Sequence, residues 1–164
     1  MTIGEERTKL AGSRFEVKAQ PGKRFFDLFF VLLTALLWLP LMGGVALLVA
    51  LRLGRPLLFR QMRPGRGGEP FQLVKFRTMT VDRDARGELL PDAERMTGFG
   101  RWLRSTSLDE LPELWNIVCG EMSLVGPRPL LMHYLDHYTE EEARRHAVRP
   151  GLTGWSHRLL SVLP

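Results

Sequence analysis

From Leu28 to Leu51 the chain runs for 24 residues without one charged side chain. A disordered segment does not concentrate apolar residues in this way, and an ordinary small soluble domain has nowhere to bury them. As α-helix the stretch would reach about 36 Å, against a hydrocarbon core of about 30 Å. It is too long for the apolar region of a signal peptide, and no small-residue cleavage site follows it. Pro40 stands near its middle. That residue cannot donate to the carbonyl of Leu36, its ring crowds the preceding turn, and Gly43 and Gly44 soften the same region. A bend or break is therefore expected at Pro40, leaving two legs of about 18 Å each, too short to cross a bilayer alone.

Charge bears on how the segment is used. The chain carries a net charge of +5. Arg14, Lys18, Lys23 and Arg24 precede the apolar run, and Arg52, Arg55, Arg60, Arg63 and Arg66 follow it. Cytoplasmic flanks are the ones enriched in Lys and Arg. A re-entrant hairpin that enters and leaves by that face satisfies both clusters, whereas a proline-kinked single span, the competing arrangement, places one of them on the wrong side. Basic residues beside a membrane segment read as contacts with anionic membrane lipids, and no nucleic-acid motif accompanies them. Asp27, just inside the run, reads as an interfacial residue paired with Lys23 or Arg24 or favoured by the helix start. Cys119 is the only cysteine, so no disulfide forms within the chain, and a reducing compartment is expected.

The remainder is enough for one small core. Residues 1–20 read as a polar arm, 21–55 as the membrane element hinged at Pro40, and 56–164 as a membrane-associated domain on the cytoplasmic side. Leu57–Gln61, the turn-rich Arg63–Gly68 and the alternating Pro70–Arg77 predict a β-hairpin over about 57–79. The glycines lack a following Gly-Lys-Ser/Thr, so they read as a turn and not as a phosphate loop. Asp92–Arg104 has a helical pattern interrupted by Gly98 and Gly100. Leu108, Leu111, Leu114, Trp115 and Val118 recur at helical spacing up to a stop at Gly120, and a further helix over about 139–147 is opened by the capping pair Thr139 and Glu142. The expected class is α+β, mainly helical, with interfacial amphipathic helices and a small β-hairpin.

Asp109 and Glu110 are adjacent carboxylates at a predicted helix start. Ser107 and Glu110 also have the spacing of a capping box, which would make the acidic pair structural. Around them the chain supplies Lys75, Arg77, Arg101, Arg104 and Arg128, the last held between Pro127 and Pro129 in an extended loop. Carboxylates with several cations suit phosphoryl transfer on a diphosphate, and an all-oxygen site suits magnesium better than zinc. His133 and His137 have the i, i+4 spacing of zinc ligands on a helix but no third ligand, and read as solvated histidines. Trp102, Trp115 and Trp155 read as core or interface residues.

Several blocks, in order, carry a resemblance. They are Lys23-Arg24-Phe25-Phe26-Asp27, the Pro40-broken apolar run, Lys75-Phe76-Arg77-Thr78-Met79, Leu103 to Asn116 with Ser107-Leu108-Asp109-Glu110-Leu111-Pro112, Met122 to Pro129, and Arg149-Pro150-Gly151-Leu152-Thr153-Gly154-Trp155. Over roughly residues 21–155 the chain resembles the bacterial sugar transferases known as monotopic phosphoglycosyl transferases. The resemblance implies transfer of a phosphosugar from a UDP-sugar to polyprenyl phosphate, usually undecaprenyl phosphate, with release of UMP, as the first membrane step of bacterial glycan assembly. It implies location at the inner membrane with the catalytic part on the cytoplasmic face. By resemblance Asp109 is the nucleophile that forms a covalent phosphosugar intermediate, Glu110 assists through Mg2+ bound by the pair, and Lys75, Arg104 and Arg128 fall on phosphate-binding positions. Pro40 matches the family's hinge, although the serine that often precedes it is Leu39 here. Relatives usually continue beyond Gly154 with further helices, so an unusually short, truncated or impaired form stays open, as does a non-catalytic partner subunit. Homo-oligomerisation is compatible with the sequence, and no residue selects the sugar.

Overall fold

The apolar run folds as two helices. A computed structural model describes residues 21–154, and the expected arm over 1–20 and Trp155 lie outside the described residues. Helix α1 spans Pro21–Leu33 and α2 spans Ala35–Leu53. The interruption falls at Thr34, whose backbone sits at φ −90° and ψ 2°, and Pro40 lies inside α2. The break is thus displaced from the expected position. A helix that begins at Ala35 has little hydrogen-bond ladder upstream of the proline ring to distort, so the ring is accommodated near the helix start. Over its apolar stretch α2 has a mean hydropathy of 2.0, and only 17% of that stretch is buried within the chain. Trp38, Val45 and Val49 form its buried stripe, while Leu36, Leu37, Leu47 and Leu51 are exposed. By length and composition α2 can cross a membrane.

Strands β1 (Leu58–Pro64) and β2 (Pro70–Phe76) form the expected antiparallel hairpin. Its turn needs glycine, because Gly67 and Gly68 adopt φ 71° and 75°. The described chain divides into two compact units, and the hairpin contributes its turn end to one and its open end to the other.

One unit takes Thr34–Arg60 and Val74–Pro112. Its core joins Val45 and Val49 of α2 to Phe76 and Leu103, with Met42, Phe99, Leu108 and Leu111 packed against them. It also holds α3 (Asp92–Arg95) and α4 (Gly98–Ser105). Thr97 opens α4, accepting a hydrogen bond from the Gly100 amide at 3.0 Å. The two glycines therefore lie within α4 and do not interrupt it. Gly100 is required for packing, since a Cβ there would overlap the carbonyl of Thr78.

The other unit takes the described residues up to Leu33, Gln61–Leu73 and those from Glu113 onward. Here α1 packs on α5 (Glu113–Cys119) and on β3 (Ser123–Val125). Ile117 and Met122 are fully buried, and Val31, Phe71 and Leu73 are buried nearby in the same unit. Arg24 donates to the carbonyls of Ile117 and Val118, and Arg149 donates to that of Gly120 at 2.7 Å, so the C-terminal end of α5 is held by two guanidiniums. Gly120, at φ 87°, ends the helix as expected. Strand β3 pairs in parallel with β4 (Gly151–Thr153), Ser123 opposite Gly151 and Val125 opposite Thr153. The Thr139–Glu142 capping box is formed at α6 (Glu140–Ala143), but the following residues Arg144–Ala147 tighten to a 3-10 turn.

Three other expectations change. His133 and His137 are exposed, in keeping with solvated histidines, but they lie in a 3-10 turn over Met132–His137 and not on an α-helix, so residues four apart do not share a face. Trp102 and Trp115 are exposed, at 46% and 59%, which removes the core half of the core-or-interface reading. Asp27 is buried, and its hydrogen bonds run to neither Lys23 nor Arg24. It accepts from Ser123 Oγ at 2.7 Å and from the Leu124 amide at 3.1 Å, while Lys23 donates to the same Ser123 hydroxyl and to the Val125 carbonyl.

Candidate active site

The end of β2 organises the acidic pair. Lys75 Nζ lies 2.6 Å from Glu110 Oε1, and both side chains are largely shielded from solvent. The next residue, Phe76, points the other way, as strand alternation requires, and enters the core beside Val45, Val49 and Leu103. Arg77 is buried and donates to the carbonyls of Leu53, Gly54 (3.0 Å) and Arg55 (3.3 Å) just where α2 ends. The Thr78 hydroxyl accepts from Arg104 Nε at 3.0 Å.

Asp109 and Glu110 sit on a short 3-10 turn, Leu108–Glu110. The capping box read from Ser107 and Glu110 does not form. Ser107 is left-handed, at φ 55° and ψ 18°, and its side chain makes no capping hydrogen bond. The α-helix begins only at Glu113, after Pro112, so the expected helix over 108–118 is shortened to α5. This removes the structural explanation of the pair. No α-helix starts at Asp109 to favour its charge. Burial acts instead: at 7% exposure the Asp109 carboxyl is pushed above the ordinary aspartate value. Lys75 pulls it back, the neighbouring charge of Glu110 adds to the rise, and Arg104 opposes it.

Asp109, Glu110, Lys75 and Arg104 are thus brought together in one unit. Arg77, counted among the available cations from sequence, is committed to the end of α2. Arg101 is exposed and donates to the Met96 carbonyl at 3.2 Å. Arg128 belongs to the other unit and is exposed. Its carbonyl accepts from Arg145 at 2.9 Å, and Arg63 donates to the adjacent Pro129 carbonyl at 3.4 Å. The like charge of Arg128 lowers the Arg63 pKa, after burial as the larger cause. Sequence reasoning did not single out Thr78 or Ser123, whose residue types carry no signal of their own.

For a divalent cation the available donors are oxygens. Among the described residues no group of three or more His, Cys, Asp or Glu side chains gathers in a metal-binding arrangement. Two adjacent carboxylates, one of them buried where its own charge is disfavoured, fit an ion that takes its remaining ligands from water and phosphate, as magnesium does. Zinc has no ligand set here.

Residues 18–159 match the family model described as bacterial sugar transferase. The chain is 53% identical over 139 residues to an uncharacterized sugar transferase, EpsL, of Bacillus subtilis, covering 82% of this chain and 66% of that protein. The chain belongs to the bacterial sugar transferase family. Two further members are named for their reactions. The UDP-glucose:undecaprenyl-phosphate glucose-1-phosphate transferase of Caulobacter vibrioides is 44% identical over 142 residues, covering 80% of this chain and 51% of that protein. The UDP-N-acetylgalactosamine-undecaprenyl-phosphate N-acetylgalactosaminephosphotransferase of Aeromonas hydrophila is 36% identical over 139 residues, covering 82% and 33% respectively. This bacterial sugar transferase chain therefore spans about two thirds of the first relative, about half of the second and a third of the third. Pro40, Lys75, Arg104, Asp109, Glu110 and Arg128 all fall inside the family match.

Proposed function

We propose that this chain transfers a phosphosugar from a UDP-sugar to a polyprenyl phosphate and releases UMP. The observation that carries the reading is the buried Asp109 carboxylate beside a lysine-paired Glu110 and Arg104, in the same unit as an apolar helix long enough to enter a bilayer. The names of the relatives supply the substrate classes.

In the first step an Asp109 carboxylate oxygen attacks the sugar-bearing phosphorus. The bond from that phosphorus to the bridging oxygen breaks, and UMP leaves with that oxygen. In the second step a phosphate oxygen of the polyprenyl phosphate attacks the same phosphorus. The acyl phosphate bond breaks, and the lipid diphosphosugar departs with the Asp109 carboxylate restored. Lys75 and Arg104 offset the charge that gathers as the diphosphate is cleaved. Lys75 also holds Glu110. Magnesium bound through Asp109 and Glu110 would screen the diphosphate charge.

The test is the first half-reaction alone. With UDP-sugar and no lipid acceptor, the parent chain should release one equivalent of UMP and gain the mass of one phosphosugar. Asp109→Asn should do neither. Stoichiometric labelling of the Asn variant would overturn the assignment.

The membrane element is proposed to be re-entrant, with both basic flanks and the catalytic part on the cytoplasmic face. A Lys18→Cys label should react only from the cytoplasmic side of sealed vesicles, in a background where the exposed Cys119 is replaced by Ser. Reaction from the opposite side would overturn this orientation.

A further inference from the structure

Four consecutive residues, Lys75 to Thr78, do four separate jobs. Lys75 holds Glu110, Phe76 enters the core between α2 and α4, Arg77 grips the end of α2, and Thr78 holds Arg104. Three of these contacts reach either the acidic pair or the cation beside it, directly or through the core. The fourth, Arg77, reaches neither.

We infer that Arg77 is a positioning residue that fixes the height of the acidic pair relative to the end of the apolar helix, and that it serves the lipid-acceptor step selectively. This rests on the phosphosugar-transfer reading above.

The geometry is specific. The last carbonyls of a helix have no partner within it, and a guanidinium satisfies several of them at once while placing positive charge at the negative helix end. Arg77 donates to three successive carbonyls, those of Leu53, Gly54 and Arg55, and is itself only 6% exposed. Such a fork cannot slide along the helix without losing its acceptors. A lysine offers a single point charge and cannot span the same three. The residues on either side of Arg77 are Phe76 and Thr78, and Gly100 packs its bare Cα directly against the Thr78 carbonyl. The tie between Arg77 and α2 is therefore passed to Lys75 through the end of β2 and to Arg104 through Thr78, against which Gly100 is closely packed.

The consequence for the reaction follows from where the two substrates reside. The donor is water-soluble and arrives at Asp109 from solution, so its cleavage depends on the groups gathered around Asp109 and not on the depth of α2. The acceptor phosphate is held at a depth set by the bilayer, as α2 is. Only the second step requires the carboxylate to stand at a fixed height relative to α2, and Arg77 sets that height.

The experiment compares the parent with Arg77→Lys and Arg77→Gln in the full chain, reconstituted in nanodiscs. Two quantities are read: the UMP burst without acceptor, and steady-state turnover with undecaprenyl phosphate. The expected result is a burst amplitude within about twofold of the parent in Arg77→Lys, with turnover down by about tenfold or more, and a larger turnover loss in Arg77→Gln. A short-chain, water-soluble prenyl phosphate serves as a second acceptor, because its phosphate is not tied to the bilayer. With it, the turnover of Arg77→Lys should return to within about twofold of the parent. Unchanged turnover with undecaprenyl phosphate would overturn the inference. So would parallel loss of burst and turnover, or equal loss with both acceptors, since each indicates general damage. A parent chain that gives no burst removes the transfer reading and this inference together, whereas the other adverse outcomes leave the transfer reading standing.

Discussion

Lys75 Nζ and Glu110 Oε1 are 2.6 Å apart, which places a cation next to the second carboxylate of an adjacent pair whose first member, Asp109, is buried. Lys75 thereby acts on both: it pairs with Glu110 and opposes the rise in the Asp109 pKa. The arrangement explains how two neighbouring carboxylates can share a largely dry site.

Replacing Lys75 by Gln should move the acid limb of UMP release towards higher pH. Asp109 attacks as the carboxylate, so the rate rises as pH passes through its pKa. Burial already lifts that pKa and Lys75 pulls it down, so loss of Lys75 lets it rise further. Below the limb, activity should fall about tenfold for each pH unit of displacement. A pH profile of kcat/KM checks this, and an unmoved limb would show that Lys75 does not act on the Asp109 charge.

Asp109→Asn should be inactive yet more stable than the parent at neutral pH. The folded-state pKa of Asp109 is raised, so between the unfolded and folded values the native state binds the proton more tightly and stability falls as pH rises. Asparagine has no charge to bury. Its advantage should vanish below the ordinary aspartate pKa of about 3.9. Thermal unfolding across a pH series reads the difference.

Gly100→Ala should destabilise the chain by about 1–3 kcal/mol, because the new methyl overlaps the Thr78 carbonyl and backbone must move. The displaced Thr78 carries the partner of Arg104, so UMP release should fall as well. Denaturant titration and a single-turnover assay together test the link between packing and site.

Ser123→Ala removes the hydroxyl that Asp27 and Lys23 share. A buried carboxylate then loses the Ser123 hydroxyl and keeps the Leu124 amide, at a cost of about 1–3 kcal/mol. The expected sign is a lower unfolding temperature with the UMP burst preserved at temperatures where the variant is folded. A burst lost in the folded variant would assign these residues to the chemistry.

Much of the architecture was legible locally. The hairpin was readable from the turn-rich Arg63–Gly68 and the alternation after Pro70, the end of α5 from Gly120, and the start of α6 from Thr139 and Glu142. The misreadings share a cause. Ser107 and Glu110 have the spacing of a cap, but spacing does not reveal that Ser107 is left-handed. Pro40 marks a weak point in a helix, yet the interruption settled at Thr34. Asp27 was read against its sequence neighbours, while its partners lie about a hundred residues away.

By itself the sequence determined that the chain has a long uncharged helix with basic flanks, an adjacent acidic pair and a supply of cations, because apolar periodicity, turn chemistry and charge are local properties. Only the tertiary structure decided which cation serves which group: Lys75 on Glu110, Arg104 on Thr78, Arg77 on the end of α2, Arg24 and Arg149 on the end of α5. A guanidinium has no partner written into its own neighbourhood. Its acceptors are backbone carbonyls and side chains brought near it by packing of distant segments, and burial, the largest influence on Asp109, exists only once those segments have closed around it.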